Sequence, residues 1–156
     1  MQGLKRPMTS AEKVMTADNN SIYMIKDEKA NRGTGKVFGL LKIGKKKLYL
    51  HDKRNCLVTT SPLCVLDFYI TREYQRKGCG RELFDYMLQD TGAKPHKLAI
   101  DGPSPKMISF LYKHYGLCLR RQANNFSVDE TFFDELYSER PWCSGSAMIT
   151  QAQSTG

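Results

Sequence analysis

From Leu63 to Asp90 the chain reads as a strand, a polar turn and an amphipathic helix, with Gln75-Arg76-Lys77-Gly78-Cys79-Gly80 at the junction. Leu63 to Ile70 is apolar on both faces except at Asp67, the pattern of a central strand. The helix that follows, Gly80 to about Asp90, places Leu83, Phe84, Met87 and Leu88 on one stripe. Glycines at 78 and 80 let the backbone approach a ligand closely, and a helix start leaves its first N–H groups without intrahelical partners. A row of N–H groups at the positive end of a helix suits phosphate. Arg76, Lys77 and Arg81 add charge of the matching sign. A strand–turn–helix unit with a polyanion at the turn is therefore the frame around which the rest must fold.

Other glycine-loop readings fit less well. A Walker loop requires G-x-x-x-x-G-K-[ST], which does not occur, and a dinucleotide fold requires a third glycine and a later acidic residue in register. An ordinary turn before a helix explains two glycines. It leaves unexplained the glutamine, the cations and the strand before them.

At 156 residues and 40% hydrophobic, one globular domain is expected over 1–137, with 1–20 poorly defined and 138–156 a frayed tail. No apolar run approaches the roughly twenty residues of a membrane span, so no membrane partner is expected. The basic start lacks the apolar stretch of a signal peptide. Five cysteines without C-x-x-C spacing read as reduced thiols of a cytosolic protein, with no metal site. The net charge of +8 calls for an anionic partner. Lys42, Lys45, Lys46, Lys47, Lys53 and Arg54 face one acid, Asp52, between residues 42 and 54. No nucleic-acid recognition module is visible, so nucleic acid is not expected.

Along the chain, Ser21 to Lys26 reads as a short strand, and Val37 to Ile43 and Lys47 to His51 as two strands joined by a hairpin at Gly44-Lys45-Lys46. Lys53 to Pro62 reads as a loop. Lys97 to Ile100 is a second buried strand ending at Asp101. Ser104 and Pro105 open another helix, with Met107, Ile108, Leu111 and Tyr115 facing inward and Gly116 ending it. Asn124 to Val128 is the last strand. The order implies a mixed α/β sheet covered by helices, with a right-handed crossover from Leu63 to Ile100. Ligands of such sheets bind beyond the carboxyl ends of the strands, where Ile70 and Asp101 stand.

A strand followed by Q-x-x-G-x-G and a helix resembles the pyrophosphate segment of the GNAT acetyltransferase superfamily. Further strings resemble the α-tubulin N-acetyltransferases: Pro62-Leu63-Cys64-Val65-Leu66-Asp67-Phe68-Tyr69-Ile70, Gly80-Arg81-Glu82-Leu83-Phe84, Leu98-Ala99-Ile100-Asp101 with Pro103-Ser104, and Asn124-Asn125-Phe126. The resemblance covers roughly residues 20 to 133; that family has a longer amino-terminal part. It implies a mostly antiparallel sheet with one parallel strand pair and flanking helices, and an enzyme that uses acetyl-coenzyme A, without a metal, to acetylate a lysine facing the microtubule lumen. Carried over by position, coenzyme contacts fall on Phe68, Tyr69, Ile70, Gln75, Arg76, Lys77, Gly78, Cys79, Gly80 and Arg81, and on Ser104, Lys106 and Lys113. The family's two functional side chains near the acetyl group fall on Cys64 and Asp101. A cytoplasmic monomer on microtubules is expected, with cilia or the flagellar axoneme as further locations.

A lysine amine of pKa about 10.4 is protonated at neutral pH and cannot attack a thioester until it loses that proton. Asp101, at the end of a buried strand, is the candidate base or orienter; as a mere helix cap it would duplicate Ser104. Cys64 lies in a strand where cysteine is usually packing. With the resemblance it gains a contributory role, through proton transfer or by shaping the pocket. Asp67 is a candidate to orient substrate, and Lys46 and Lys53 to attract an acidic protein. A coenzyme- or tubulin-binding domain without catalysis remains the second function class, and an acetyltransferase for small amines or another protein the third reading.

Overall fold

The structure, a computed structural model, describes residues 9–134. Strands β1 (Thr9–Met15), β2 (Ser21–Asp27), β3 (Lys36–Lys45), β4 (Leu48–His51), β5 (Leu57–Thr60) and β6 (Leu63–Ile70) precede helix α1 (Cys79–Thr91). Strand β7 (Ala99–Asp101), helix α2 (Pro105–Tyr115), β8 (Leu119–Arg121) and β9 (Phe126–Asp129) follow. This is a mixed α/β fold: a mostly antiparallel sheet with one parallel pair, flanked by helices. By its contacts the chain divides into two compact units that alternate in sequence, 9–44 with 65–92, and 45–64 with 93–134.

In the first unit the strands lie in the order β1-β2-β3-β6. Strand β2 alternates, burying Tyr23, Ile25 and Asp27, and β3 buries Phe38, Leu41 and Ile43. Helix α1 buries its predicted stripe, Leu83, Phe84 and Met87, while Leu88 is only half-buried. Burying such side chains contributes about 1.5–3 kcal/mol each. Edge-to-face ring pairs, Tyr23 with Tyr86 and Phe68 with Phe84, both at 5.7 Å, fix the helix against β2 and β6. Gly92, left-handed at φ 71°, ends it.

Two expectations fail in this unit. Residues 9–15 form strand β1, paired residue by residue with β2 from Thr9↔Asp27 to Met15↔Ser21. It exposes Val14 and Met15, so its side chains carry no burial alternation to read. Gly44 belongs to β3 and is no hairpin turn: β3 pairs with β2 through Ser21↔Ile43, and β4 pairs with β5. A glycine is needed at 44 because a Cβ would fall onto the Oδ1 of buried Asn20, 2.9 Å from its Cγ and 3.4 Å from Leu66 Cδ1.

The second unit holds β7-β9-β8 and the separate ribbon β4-β5. Strand β5 lies inside the segment expected to be a loop, pairing Leu48↔Thr60 through His51↔Leu57. Its neighbour β4 is bound on its other edge by side chains. The Gln122 amide accepts from the His51 N–H at 2.8 Å and donates to the His51 carbonyl at 3.1 Å, and Asn124 Nδ2 donates to the Tyr49 carbonyl at 3.4 Å. Residues 124 and 125, expected in the last strand, make the β8–β9 turn, with Asn125 at φ 73°. Helix α2 follows its local signals: Ser104 Oγ accepts from the Met107 N–H at 3.2 Å, Pro105 takes the first turn and Gly116 caps at φ 67°. Met107 and Leu111 are buried, whereas Ile108 is exposed, so the inward face is narrower than expected.

Three of the cysteines, Cys64, Cys79 and Cys118, are thiols; Cys56 is disulfide-bonded, against the expectation of reduced thiols throughout. The expected tail from 138 lies outside the described residues.

Candidate active site

The candidate coenzyme loop lies in the first unit. Strand β6 is not uniformly buried: Cys64 and Val65 are enclosed, then Asp67 and Tyr69 are exposed and Leu66, Phe68 and Ile70 half-buried. Asp67 therefore meets water and needs no buried partner, contrary to the expectation of an enclosed strand. Beyond Ile70, the Thr71 N–H donates to the Phe38 carbonyl at 2.8 Å and residues 72–74 make one 3₁₀ turn. Gln75, the first residue of the motif, turns its side chain back and donates to the Ile70 carbonyl at 2.8 Å. Its role in this geometry is to close the loop.

Arg76 then takes φ 65° and Gly78 φ 82°, both left-handed. For arginine that conformation is disfavoured; for glycine it is not. Gly78 is the N-cap of α1 and no side chain caps that end. Of the two glycines the left-handed requirement falls on Gly78, since Gly80 lies inside α1 without a positive φ. Cys79 is buried, Arg76 and Lys77 are exposed, and Arg81 pairs with Asp85 at 3.5 Å. At the root of the loop the buried Thr71 hydroxyl meets no hydrogen-bond partner. An uncapped helix start, two adjacent cations and an orphaned hydroxyl suit an oxygen-rich anion.

The second unit gathers Cys64, Lys46 and Asp101. Cys64 is fully buried and its thiol donates to the Pro62 carbonyl at 3.4 Å, which also accepts the Lys46 N–H at 3.3 Å. Burial pushes the Cys64 thiol up to about 11, against the opposing pull of the Lys46 N–H and ammonium and with a smaller push from the Asp101 carboxylate. Asp101 is exposed at the last residue of β7, paired there with Phe126. The next residue, Gly102, turns at φ 48° and donates its N–H to the Asn125 carbonyl at 2.9 Å. The chain thus leaves the strand with the Asp101 carboxylate in water, available to a substrate ammonium.

On α2, Lys106 stands in the first turn, where no acid is present and the helix dipole disfavours a cation. A bound phosphate there would offset that cost. Lys113, in the last turn, is favourably placed, and both are exposed. The Ser104 hydroxyl is engaged by the cap. Of the two expected substrate lysines, Lys46 stands beside Cys64. Lys53 instead pairs with Asp134 at 3.2 Å and lines an open cleft of about 690 Å³ with His51, Arg120 and Arg121. Among the described residues no group of His, Cys, Asp and Glu could hold a metal ion, and no helix is long and apolar enough to cross a membrane.

Sequence reasoning passed over Thr71 and Tyr74. An aromatic residue inside an otherwise polar turn was the visible sign of the latter.

The family described as GNAT acetyltransferase, Mec-17, matches residues 1–154. The chain belongs to this family. The α-tubulin N-acetyltransferase of Trichoplax adhaerens is 46% identical over 156 residues, 99% of this chain and 63% of its own length. α-Tubulin N-acetyltransferase 1 of Danio rerio is 48% identical over 133 residues, 85% of this chain and 44% of its own length. For the Aedes aegypti α-tubulin N-acetyltransferase the figures are 45%, 133 residues, 85% and 48%. The chain thus spans between 44% and 63% of the length of these relatives. Among solved structures, a mutant AtaT toxin is 13% identical with a TM-score of 0.56, covering 83% of this chain and 93% of that one. AtaT complexed with acetyl-methionyl-tRNAfMet is 15% identical with a TM-score of 0.56, covering 84% and 99%. At such identity the likeness is one of fold.

Proposed function

We propose that this chain binds acetyl-coenzyme A and transfers the acetyl group directly, in a ternary complex, to a lysine of α-tubulin on the luminal side of the microtubule. The observation that carries the coenzyme half is the uncapped start of α1 behind left-handed Gly78 and flanking cations. The relatives named α-tubulin N-acetyltransferase support α-tubulin as the acceptor. In this reading residues 68–81 cradle the pyrophosphate, and Ser104, Lys106 and Lys113 complete the coenzyme contacts. The work is done in the cytoplasm by a monomer, with Lys46 and Lys53 drawing the acidic tubulin surface.

The chemistry begins with proton removal. Asp101 takes a proton from the lysine ammonium, and the freed amine attacks the thioester carbonyl. The C–N bond forms, the C–S bond breaks, the nitrogen gives up its second proton as it becomes an amide, and that proton neutralises the leaving coenzyme thiolate while the one on Asp101 passes to water. A thiol of about 11 stays protonated at neutral pH, so Cys64 does not act as a nucleophile. Nor does it readily protonate the leaving thiolate, since an ordinary thiol ionises near about 8.5 and the transfer would run uphill. Cys64 instead shapes the wall of the site. Catalysis then rests on placing the amine against the carbonyl and on the Asp101 base.

The deciding experiment incubates purified protein with acetyl-coenzyme A and assembled microtubules and reads acetylated lysines by mass spectrometry. One modified luminal lysine on α-tubulin is expected. Binding of both partners without acetylation would reduce the chain to a binding domain, and acetylation scattered over surface lysines would overturn the assigned acceptor.

A further inference from the structure

A bulge in β3 reaches into the candidate coenzyme loop. The β2–β3 ladder pairs Ile25 with Gly39 but Lys26 with Val37, so Phe38 has no partner on β2. Bulges re-aim side chains. Here the Phe38 ring, 1% exposed, lies under the Tyr74 ring, with centroids 3.9 Å apart and planes at 13°. The carbonyl of the same residue accepts the Thr71 N–H at 2.8 Å. The Tyr74 hydroxyl donates to Asp27 Oδ2 at 3.0 Å, and the other oxygen of that buried carboxylate accepts the Lys29 N–H at 3.0 Å. Lys36 and Lys77 hold their ammonium groups 6.0 and 5.8 Å from the Tyr74 ring centroid, and Lys36 also pairs with Glu73 at 3.4 Å. One backbone bond, one ring stack and one charge-assisted hydrogen bond therefore tie the turn 71–74 to β2 and β3.

The residues just beyond that turn are the ones expected to meet phosphate, and Arg76 among them holds a backbone conformation that a free loop would leave. We propose that Tyr74 is a positioning residue for the coenzyme: stacked on Phe38 and bonded to Asp27, it preorganises residues 76–80 so that their N–H groups already converge before the pyrophosphate arrives, the Gln75 N–H being held by the Arg72 carbonyl at 3.2 Å. This rests on the reading of 68–81 as the coenzyme loop. A preorganised loop loses less conformational freedom on binding, so the clamp acts on coenzyme affinity. It does not touch the acetyl group and leaves the chemical step alone.

The test measures coenzyme A binding by calorimetry, and melting temperature, for the wild type and four variants. Tyr74→Phe keeps the stack and removes the hydroxyl; it should raise the Kd for coenzyme A about three- to tenfold. Tyr74→Val removes the stack as well and should weaken binding further. Tyr23→Phe deletes a similar hydrogen bond, 2.6 Å to Asp90 at the far end of α1, and should lower the melting temperature with the Kd unchanged. Gly78→Val should abolish binding. If Gly78→Val loses coenzyme A while both Tyr74 variants bind like wild type, the clamp is refuted and the loop stands. If Gly78→Val also binds normally, the coenzyme loop is refuted and the clamp with it. Should Tyr74→Val fail to fold, Tyr74→Phe decides.

Discussion

Cys64 makes an alkaline weak point that can be measured against its own deletion. Its thiol ionises near 9.0 in an unfolded chain and near 11 in this fold, because burial penalises the thiolate. A thiol raised on folding keeps its full contribution below pH 9 and loses it as pH climbs towards 11, since only the unfolded chain then releases the proton. Two units at 1.36 kcal/mol each set the limit at about 2.7 kcal/mol, of which about 1.4 kcal/mol should be gone by pH 10. Cys64→Ala cannot titrate there and leaves a small void costing about 1–2 kcal/mol at neutral pH. Wild type should therefore lead the variant at pH 7, and the lead should shrink from pH 9 and close near pH 10. Other groups, such as Tyr23 with its phenol also pushed up by burial and by Asp90, act in both proteins and cancel in the difference. Urea unfolding at pH 7, 8, 9 and 10 under reducing conditions gives the two curves. Parallel curves would mean that the thiol is not shielded as described, and would reopen Cys64 as a thiolate nucleophile.

Asp101→Asn should leave coenzyme A affinity unchanged while lowering kcat on microtubules about a hundredfold to ten-thousandfold; near-normal turnover at saturating substrates would end its assignment as base. Gly44→Ala should destabilise the protein by about 2–4 kcal/mol in urea, because the buried Asn20 side chain must move and give up its 3.2 Å bond to Asp18. A loss under about 0.5 kcal/mol would contradict that contact. Lys46→Glu should raise the KM for microtubules with coenzyme affinity intact, and the defect should fade with added salt, as surface fields are screened over about 8 Å at physiological ionic strength. A defect that ignores salt would place Lys46 in direct contact chemistry or in the fold.

What the sequence disclosed follows how local each signal was. Strand β6 matches its expected bounds because eight residues between polar flanks leave no other assignment. The start and stop of α2 were legible because a capping serine, a first-turn proline and a terminal glycine act within a few residues of themselves. Strands β1, β5 and β8 were not, for they are short or polar and exist through their partners. Gly44 looked like a turn residue because its reason, Asn20, lies twenty-four positions away. The candidate site divides the same way. The glycine loop and its cations are contiguous and readable, whereas the bond from Tyr74 to Asp27 spans 47 residues and leaves only an unexplained aromatic in the string.

The amide of Gln122 against His51 has a consequence for how this molecule behaves in a crowd. A primary amide presents one donor and one acceptor side by side, as a peptide unit does, so β4 meets at that point a counterfeit of a neighbouring strand. Asn124 extends the disguise to Tyr49. An open strand edge is a template on which other chains can add, and here two side chains occupy it without lengthening the sheet. Shortening both to alanine should bare that edge, and a stock solution that stays clear in the wild type should then turn turbid on standing.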